Sequence, residues 1–445
     1  MFNIHRNLAT MIVVVAALLL PHFQLHAFCG FYVAKADASL FNDASRVVVV
    51  RVNDRTVITM ENDYSGSMRE FAMVIPVPTV LKKEDIRVRE TSLIERVDNY
   101  SAPRLVEYHD RSPCEGPVEM PVLCVSERDV MVRNDQIGRS FAVRGVRVEA
   151  RYEVEEYDVL ILSAKESDGL VRWLQENGYN IPDGAEKVLG SYIKQDMRFF
   201  VAKVNLEKQA ALEKVKLRPL QVEFRTDKFM LPIRLGTVNA RGDQDLLVYL
   251  LTANGRVETA NYRTVKLPTG QEIPTYIKSE FSDFYRAMFS HQHTLQGGRA
   301  VFNEYTWNSG WCDPCADSPL TAGELDLLGY PRATAPAPIL TRLHLRYNAS
   351  TFPEDLIFAE TGDKQNYQGR YVLRHPWIGE PDECSSAMTY FEELERRRET
   401  EAHNLADLTG WKLWEIRQKY GLGESRAPAD EHWWDSVRSW FGSGE

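Results

Sequence analysis

The sequence is short of the features that most often announce a function. It has no G-x-S-x-G elbow, no Walker loop, no H-E-x-x-H and no dinucleotide fingerprint. The nucleophile, phosphate, zinc-protease and Rossmann chemistries that depend on those spacings therefore have no local support, and the reading names no catalytic residue, no metal ligand and no cofactor. Basic charge is in deficit, with 53 Lys and Arg against 63 Asp and Glu and a formal charge of −10 at pH 7. Such a balance repels phosphate backbones and anionic lipid surfaces, so no nucleic-acid partner is expected. No stretch after residue 20 approaches the roughly 20 apolar residues that a spanning helix needs, so the mature chain should hold no transmembrane span. Nor does any period of roughly 20 to 50 residues repeat, which argues against a solenoid or a propeller.

What is present begins at the N-terminus. A basic start, Met1-Phe-Asn-Ile-His-Arg6, leads to the apolar run "TMIVVVAALLL" and then to "PHFQLHA", ending at the small residue Ala27. This is the layout of a secretory signal peptide over residues 1–27, too short in its apolar core to be an anchor. Phe28 stands where a lipid-modification signal wants a small residue, which opposes a lipoprotein reading. Removing residues 1–27 takes away one Arg and no acid, so the charge becomes −11. The expected product is exported, periplasmic or extracellular.

That compartment governs the six cysteines, Cys29, Cys114, Cys124, Cys312, Cys315 and Cys384. An even number in an exported chain suggests disulfides, although sequence leaves the pairing open. Proximity favours Cys114 with Cys124 across a Pro-rich loop and Cys312 with Cys315, which leaves Cys29 with Cys384 by elimination. "WCDPC" at 311–315 imitates a thioredoxin-like dithiol, but its surroundings differ from one. Thr321-Ala-Gly-Glu324 is a capping box bracketed by Leu320 and Leu325, so the next helix begins six residues beyond Cys315 and neither sulfur lies on its first turn. Asp313 would also disfavour a thiolate. A staple, with Trp311 packed over it, is the simpler reading; a redox pair or zinc site at Cys312 and Cys315 is the alternative.

The body reads as α+β, a β-rich antiparallel body with inserted helix pairs and a C-terminal helical segment. Strand patterns cover 45–53, 55–63 and 69–78, separated by Asn53-Asp54 and Ser-Gly turn signals, and much of 140–164. They return at 197–206, 217–226, 245–267, 299–307, 340–348, 355–361 and 369–376, with Asn254-Gly255 suggesting a tight hairpin. Helices are expected over Ser92–Tyr100, Ser167–Asn177, Asp183–Gln195, Asp382–Thr409 and Trp411–Tyr420. Another carries the apolar stripe Phe281, Phe284, Tyr285, Met288 and Phe289. The expected organisation is a β-rich region over 28–160, a mixed region over 161–380 packed with it, helices over 381–421, and a linker with a short Trp-rich helix over 422–445.

Some features tempt a functional reading and have plainer ones. His291 and His293 lack a third nearby ligand and suit a helix C-terminus. Ala406, Gly410 and Ile416, with Lys412, Arg417 and Lys419, imitate a DNA-binding helix-turn-helix, but a helical corner on the body explains them. Glu392 with Arg396, and Glu393 with Arg397, are spaced for surface ion pairs. Trp433, Trp434, Val437, Trp440 and Phe441 form an apolar terminal cluster, a candidate grip for the protein's own body or for an unknown envelope partner or surface ligand.

Several phrases together carry a resemblance: "CGFYVAKADASLFNDASRVV" from Cys29, "FAMVIPVP" from Phe71, "YSAPRLVEY" from Tyr100, "WCDPC", "FPEDLIFAETGD" from Phe352 and "QGRYVLRHPW" from Gln368. They resemble an exported bacterial family catalogued as domain of unknown function 2330, with similarity extending through "LTGW" at Leu408. The resemblance implies a bacterial exported protein with the cysteine phrases as part of its pattern. It transfers no activity and no catalytic residue.

Overall fold

The computed structural model describes residues 31–35, 41–65, 71–115, 146–205, 217–314 and 316–423, single positions 239, 241 and 317 excepted. The first strands are β1 (Phe31–Lys35), β2 (Phe41–Val52), β3 (Arg55–Ser65), β4 (Phe71–Val77) and β5 (Ile86–Val88), followed by α1 (Thr91–Ser101) and β6 (Arg104–His109). Next come β7 (Val146–Val154), β8 (Tyr157–Ala164), α2 (Ser167–Glu176), β9 (Tyr179–Asn180), α3 (Ala185–Ile193) and β10 (Arg198–Val204). They lead to β11 (Leu220–Arg225), β12 (Met230–Leu231), β13 (Gln244–Thr252), β14 (Val257–Thr259), β15 (Arg263–Lys266) and α4 (Phe281–Leu295). The remainder is β16 (Ala300–Asn308), α5 (Ala322–Leu327), β17 (Ile339–Tyr347), β18 (Leu356–Glu360), β19 (Tyr367–Gln368), β20 (Arg370–His375), α6 (Ser385–Thr409) and α7 (Leu413–Tyr420).

Two sheets dominate. The first has the order β7-β8-β10-β4-β1-β9 and is antiparallel; the second runs β15-β16-β17-β13-β2-β3-β11-β5, with β19 beside β16. The α+β body is thus mainly antiparallel, with parallel ladders at β2–β13, β15–β16 and β6–β20. Four consecutive valines explain the stacking. Val47 and Val49 of β2 face the first sheet through Met73, Ile75, Ile161 and Phe200. Val48 and Val50 face the other way, onto Leu93, Ile94 and Val97 of α1. A strand covered on both faces reads as a continuous apolar run. Helices α2 and α3 cover the outer face of the first sheet, Leu170, Leu174 and Leu189 meeting Val74, Leu162 and Phe199. Around Ala300 and Phe302 of the second sheet, α4, α6 and α7 bring Phe284, Met288, Phe289, Leu405, Leu408 and Ile416.

Local chemistry shaped most turns as expected, with informative exceptions. Asn53 and Asp54 close the β2–β3 hairpin, Val52 pairing Arg55 and Asn53 adopting φ +55°. Asn254-Gly255 makes no such hairpin. Strand β13 lies between β2 and β17, whereas β14 pairs β18, so the dipeptide carries the chain from one sheet to another. Gly255 is needed there for close approach, because a Cβ would sit 2.0 Å from the Thr361 carbonyl oxygen. On α6, Glu392 and Arg396 do approach, at 3.9 Å. Arg397 ignores Glu393 and turns instead to Asp110 at 2.7 Å and Glu401 at 3.5 Å, because carboxylates more shielded from water compete better than an exposed neighbour. At the α6–α7 corner Lys412, Arg417 and Lys419 face Glu415, Glu399 and Glu280, so each helix-turn-helix cation is opposed by a carboxylate.

The outer face of the second sheet carries a charged ladder. Arg46 of β2 donates to Glu61 of β3 at 2.6 Å and reaches Asp98 of α1 at 3.2 Å. Arg342 of β17 donates to Asp98 at 2.5 Å and to Glu304 of β16 at 2.7 Å. His344, two residues along β17, meets Glu304 at 2.9 Å and Asp245 of β13 at 3.7 Å, and Arg346 donates to Asp245 at 2.8 Å. Tyr249 donates to Asp98 at 2.7 Å, and Tyr285 of α4 donates to Glu304. A bulge between Asn303 and Tyr305 makes this possible, because it turns Glu304 and Tyr305, consecutive residues, toward the same side of the sheet. Four carboxylates meet three arginines and one histidine, so the cluster is neutral when His344 is protonated.

Electrostatics favour that state. Burial alone would lower the His344 pKa, but Glu304 and Asp245 raise it above its ordinary 6.5. Burial alone would raise Glu304 and Asp98, but His344 and Arg342 hold Glu304 below its ordinary 4.5, and Arg342, Tyr249 and Arg46 hold Asp98 below 3.8. Replacing Arg342 by Met leaves Glu304, fully buried, with one of its two cations gone and an apolar group against its second oxygen. Chemical denaturation should show a loss of roughly 3–5 kcal/mol, partly restored by adding Glu304→Gln. The pH dependence follows from the signs. The histidine's contribution is full below pH 6.5 and lost as pH rises through its raised value, whereas the carboxylates contribute fully above 4.5 and lose it as pH falls. His344→Gln should therefore flatten the alkaline side of the urea-midpoint profile and leave the fall on the acid side.

Candidate functional site

Beside one end of the ladder, on the opposite face of β3, the two sheets part and leave a cavity of 180 Å³. Strand alternation makes this pairing unavoidable: Glu61 points outward into the ladder while Met60 and Ile58 point inward. Ile58 and Met60 of β3 and Val222 and Phe224 of β11 form one wall, and Ile75 and Val77 of β4 the other. Met230 and Leu231 close one side, where β12 joins β18 and β14 in a small third sheet. Of the residues lining the cavity, those that bear charge are both exposed, Asp196 and Lys228. Asp196, in a left-handed turn at φ +57°, is held by Arg198 at 2.7 Å, and that hydrogen bond lowers its pKa from the ordinary 3.8. Lys228 donates to the Gln195 side chain at 3.4 Å, and its backbone N–H to the Thr226 hydroxyl at 3.2 Å. Asp355 braces the segment after β12, accepting from Ile233 N–H at 3.0 Å and from the Tyr192 hydroxyl at 2.6 Å.

The sequence reading missed this site. Its walls read as core strands, and nothing in a one-dimensional pattern shows where two sheets diverge. The ladder left a clearer trace, in Arg342, His344 and Arg346 alternating with Leu343 and Leu345, but the same alternation describes a wet strand face.

A sequence-family comparison matches residues 24–359 to the family described as "Uncharacterized protein conserved in bacteria (DUF2330)". The chain belongs to this family. No curated protein and no solved structure matches. The matched DUF2330 region holds the whole cavity and ladder and five of the six cysteines; it ends before "QGRYVLRHPW" and "LTGW", so β20, α6 and α7 lie beyond it. Cys384 does too, and it forms a disulfide with Cys114, Cα to Cα 5.9 Å, across 270 residues of sequence. The expected pairs Cys114–Cys124 and Cys29–Cys384 are thereby overturned. Proximity in sequence was the wrong guide because parallel pairing of β20 with β6 brings position 375 beside 109 and carries the start of α6 to the end of β6. Cys29, Cys124 and Cys315 lie outside the described residues, as do Trp433, Trp434, Val437, Trp440 and Phe441.

The "WCDPC" loop of DUF2330 is built as its neighbours dictate. Helix α5 starts after Thr321, whose hydroxyl accepts from Glu324 N–H at 3.2 Å while the Glu324 carboxylate accepts from Thr321 N–H at 2.6 Å; Leu320 and Leu325 are buried beside it. The helix thus begins after Thr321, six residues past Cys315 in the sequence, so neither cysteine of the phrase belongs to its first turn. Asp313 is buried, and its carboxylate accepts from Tyr305 at 3.0 Å and Gln368 at 3.3 Å; Cys312 beside it is exposed. Burial, with Tyr100 and Asp313 alongside, pushes the Tyr305 hydroxyl pKa up and keeps it a donor. Trp311 is 69% exposed, and Trp307, stacked near Tyr305, donates its indole N–H to the Trp311 carbonyl at 3.1 Å.

The two histidines of α4 diverge. His293 contacts the Arg346 carbonyl at 3.2 Å, and burial lowers its pKa; His291 lies against Gly410. Among the described residues no group of three or more His, Cys, Asp or Glu is arranged to hold a metal, and no helix is long and apolar enough to cross a membrane.

A link across 270 residues restricts the unfolded chain strongly, by up to about 5 kcal/mol in the chain-entropy picture. Cys384→Ser should lower the thermal midpoint and speed protease cutting within α6. Unreduced peptide mapping should find residues 114 and 384 joined.

Proposed function

We propose that this DUF2330 chain is an exported, disulfide-stabilised binding protein of the bacterial envelope that holds an apolar small molecule and does not transform it. The observation that carries the reading is the inter-sheet cavity, whose inner walls are aliphatic, thioether and aromatic and whose charged groups stand at the mouth. Such a site offers hydrophobic transfer energy and orientation, without the paired acid, base or nucleophile that chemistry on the ligand would require. Export is supported by the leader-like order of residues 1–27 and by the Cys114–Cys384 bond, since disulfides persist in oxidising compartments. Residues 28–160 and 161–380 act in this reading as one unit, because β2 lies beside β13 and β4 beside β10.

The second reading, a thiol-disulfide enzyme at Cys312 and Cys315, draws on the exposure of Trp311 and Cys312. A redox titration separates the two: reversible reduction of that pair at a moderately oxidising potential supports the enzyme, and resistance until the fold is lost supports a staple. The binding reading predicts that an apolar fluorescent probe gains intensity with the purified protein, and that Met60→Trp, which fills the cavity, abolishes the gain while circular dichroism is unchanged. Fractionation should recover the chain outside the cytoplasm, beginning at Phe28. A probe response equal in both proteins would show that the probe binds outside the cavity and would overturn the binding reading.

A further inference from the structure

Resting on the binding reading above, we propose that the cavity takes one medium-length acyl chain whose carboxylate head is held by Lys228. Two independent features of the site specify the two ends of that ligand. The inner walls, Ile58, Met60, Ile75, Val77 and Val222, are apolar and almost wholly buried, so the group inside must be hydrocarbon. At the mouth stands one ammonium group whose contact is neutral, the Gln195 side-chain oxygen at 3.4 Å, too long to be a strong bond. No ion pair engages Lys228 among the described residues, whereas Arg198 and Arg225 nearby pair with Asp196 at 2.7 Å and Asp54 at 2.6 Å.

The surrounding charges do not cancel that preference. Asp196 is committed to Arg198, which reaches its carboxylate at 2.7 Å and its carbonyl at 2.6 Å. Asp227 acts electrostatically on Arg51, whose guanidinium donates to the Thr226 carbonyl at 2.8 Å and to the Thr56 hydroxyl at 2.7 Å. The Thr226 hydroxyl accepts from the Lys228 N–H and keeps its own proton to donate. A carboxylate at the mouth would therefore meet an ammonium and a hydroxyl, both donors, whereas an ammonium head would meet repulsion. A phosphate head suits the site less well, because a single lysine neutralises only one charge.

Size sets the tail. An apolar cavity of about 150 Å³ accepts a six-carbon ring, so one of 180 Å³ suits about seven or eight carbons. Each methylene placed inside should tighten binding about fourfold until the cavity is full. Octanoate, 1-octanol and octylammonium then form a matched set, measured by displacement of the apolar probe and by calorimetry on the full-length protein.

The expected order is octanoate first, octanol about tenfold weaker and octylammonium weakest, with hexanoate about fifteenfold weaker than octanoate. Lys228 is exposed, so Lys228→Ala should fold normally; it should reduce octanoate to the level of octanol and leave octanol unchanged. Lys228→Glu should invert the preference toward octylammonium. Equal affinity for octanoate and octanol, unaffected by Lys228→Ala, would overturn the head-group assignment while leaving the binding reading intact. Failure of all three to displace the probe, or displacement unaffected by Met60→Trp, would overturn both.

Discussion

The fold is organised around the charged ladder that crosses the second sheet from Glu61 to Arg346. Its importance is less in energy than in register. A buried ion pair between well-matched groups contributes little net stability against an apolar substitute, because desolvation consumes most of the attraction. A mispaired one is severely unfavourable. Arg46 opposite Glu61 and Tyr249 opposite Arg342 fix which residue of each strand faces which, since a slip by one position would drive Arg46 or Arg342 into the aliphatic layer between the sheets. The apolar pattern alone is degenerate here. Val47 to Val50 would satisfy either face equally well, and only the flanking charges make one register right.

This constraint reaches the cavity without touching it. The two lie on opposite faces of β3, where Glu61 belongs to one and Met60 to the other. Whatever holds Glu61 in place also holds Met60 at the cavity wall. Asp355 performs a related task across the molecule, tying Tyr192 of α3 to the backbone after β12, so that the segment closing the cavity is anchored to the helices of the first sheet. The cavity is therefore a gap between rigid layers rather than a fold in a loop, and rigid walls limit what fits inside.

Much of this was legible in the sequence where chemistry is local. The strand runs, the helix boundaries within a few residues, the α5 capping box and the Asn53-Asp54 hairpin all follow from propensity, spacing and turn conformation. Reading failed where the deciding partner is remote. Asn254-Gly255 looks like a hairpin until the Thr361 carbonyl is seen to occupy the space, and Arg397 looks like a partner of Glu393 until Asp110 arrives from β6. Trp311 was expected to be a packing residue, yet it is largely exposed, whereas Trp307, on the strand itself, stacks near Tyr305. Charges alternating along β17 resemble a solvated edge, and only the covering helices α1 and α4 reveal them as interior.

The pairing of Cys114 with Cys384 shows why the region beyond the family match belongs to the same fold. Residue 359 falls within β18, and the chain that follows supplies β20 beside β6 and the face of α6 that covers α4. Without those elements Phe284, Met288 and Phe289 would lose their cover, and α4 would have little to keep Tyr285 against Glu304. The disulfide thus closes a chain of dependence: it holds the start of α6, α6 presses on α4, and α4 seals one end of the ladder that sets the register of the sheet. A bond at the surface thereby bears on the buried charges and, through β3, on the walls of the cavity.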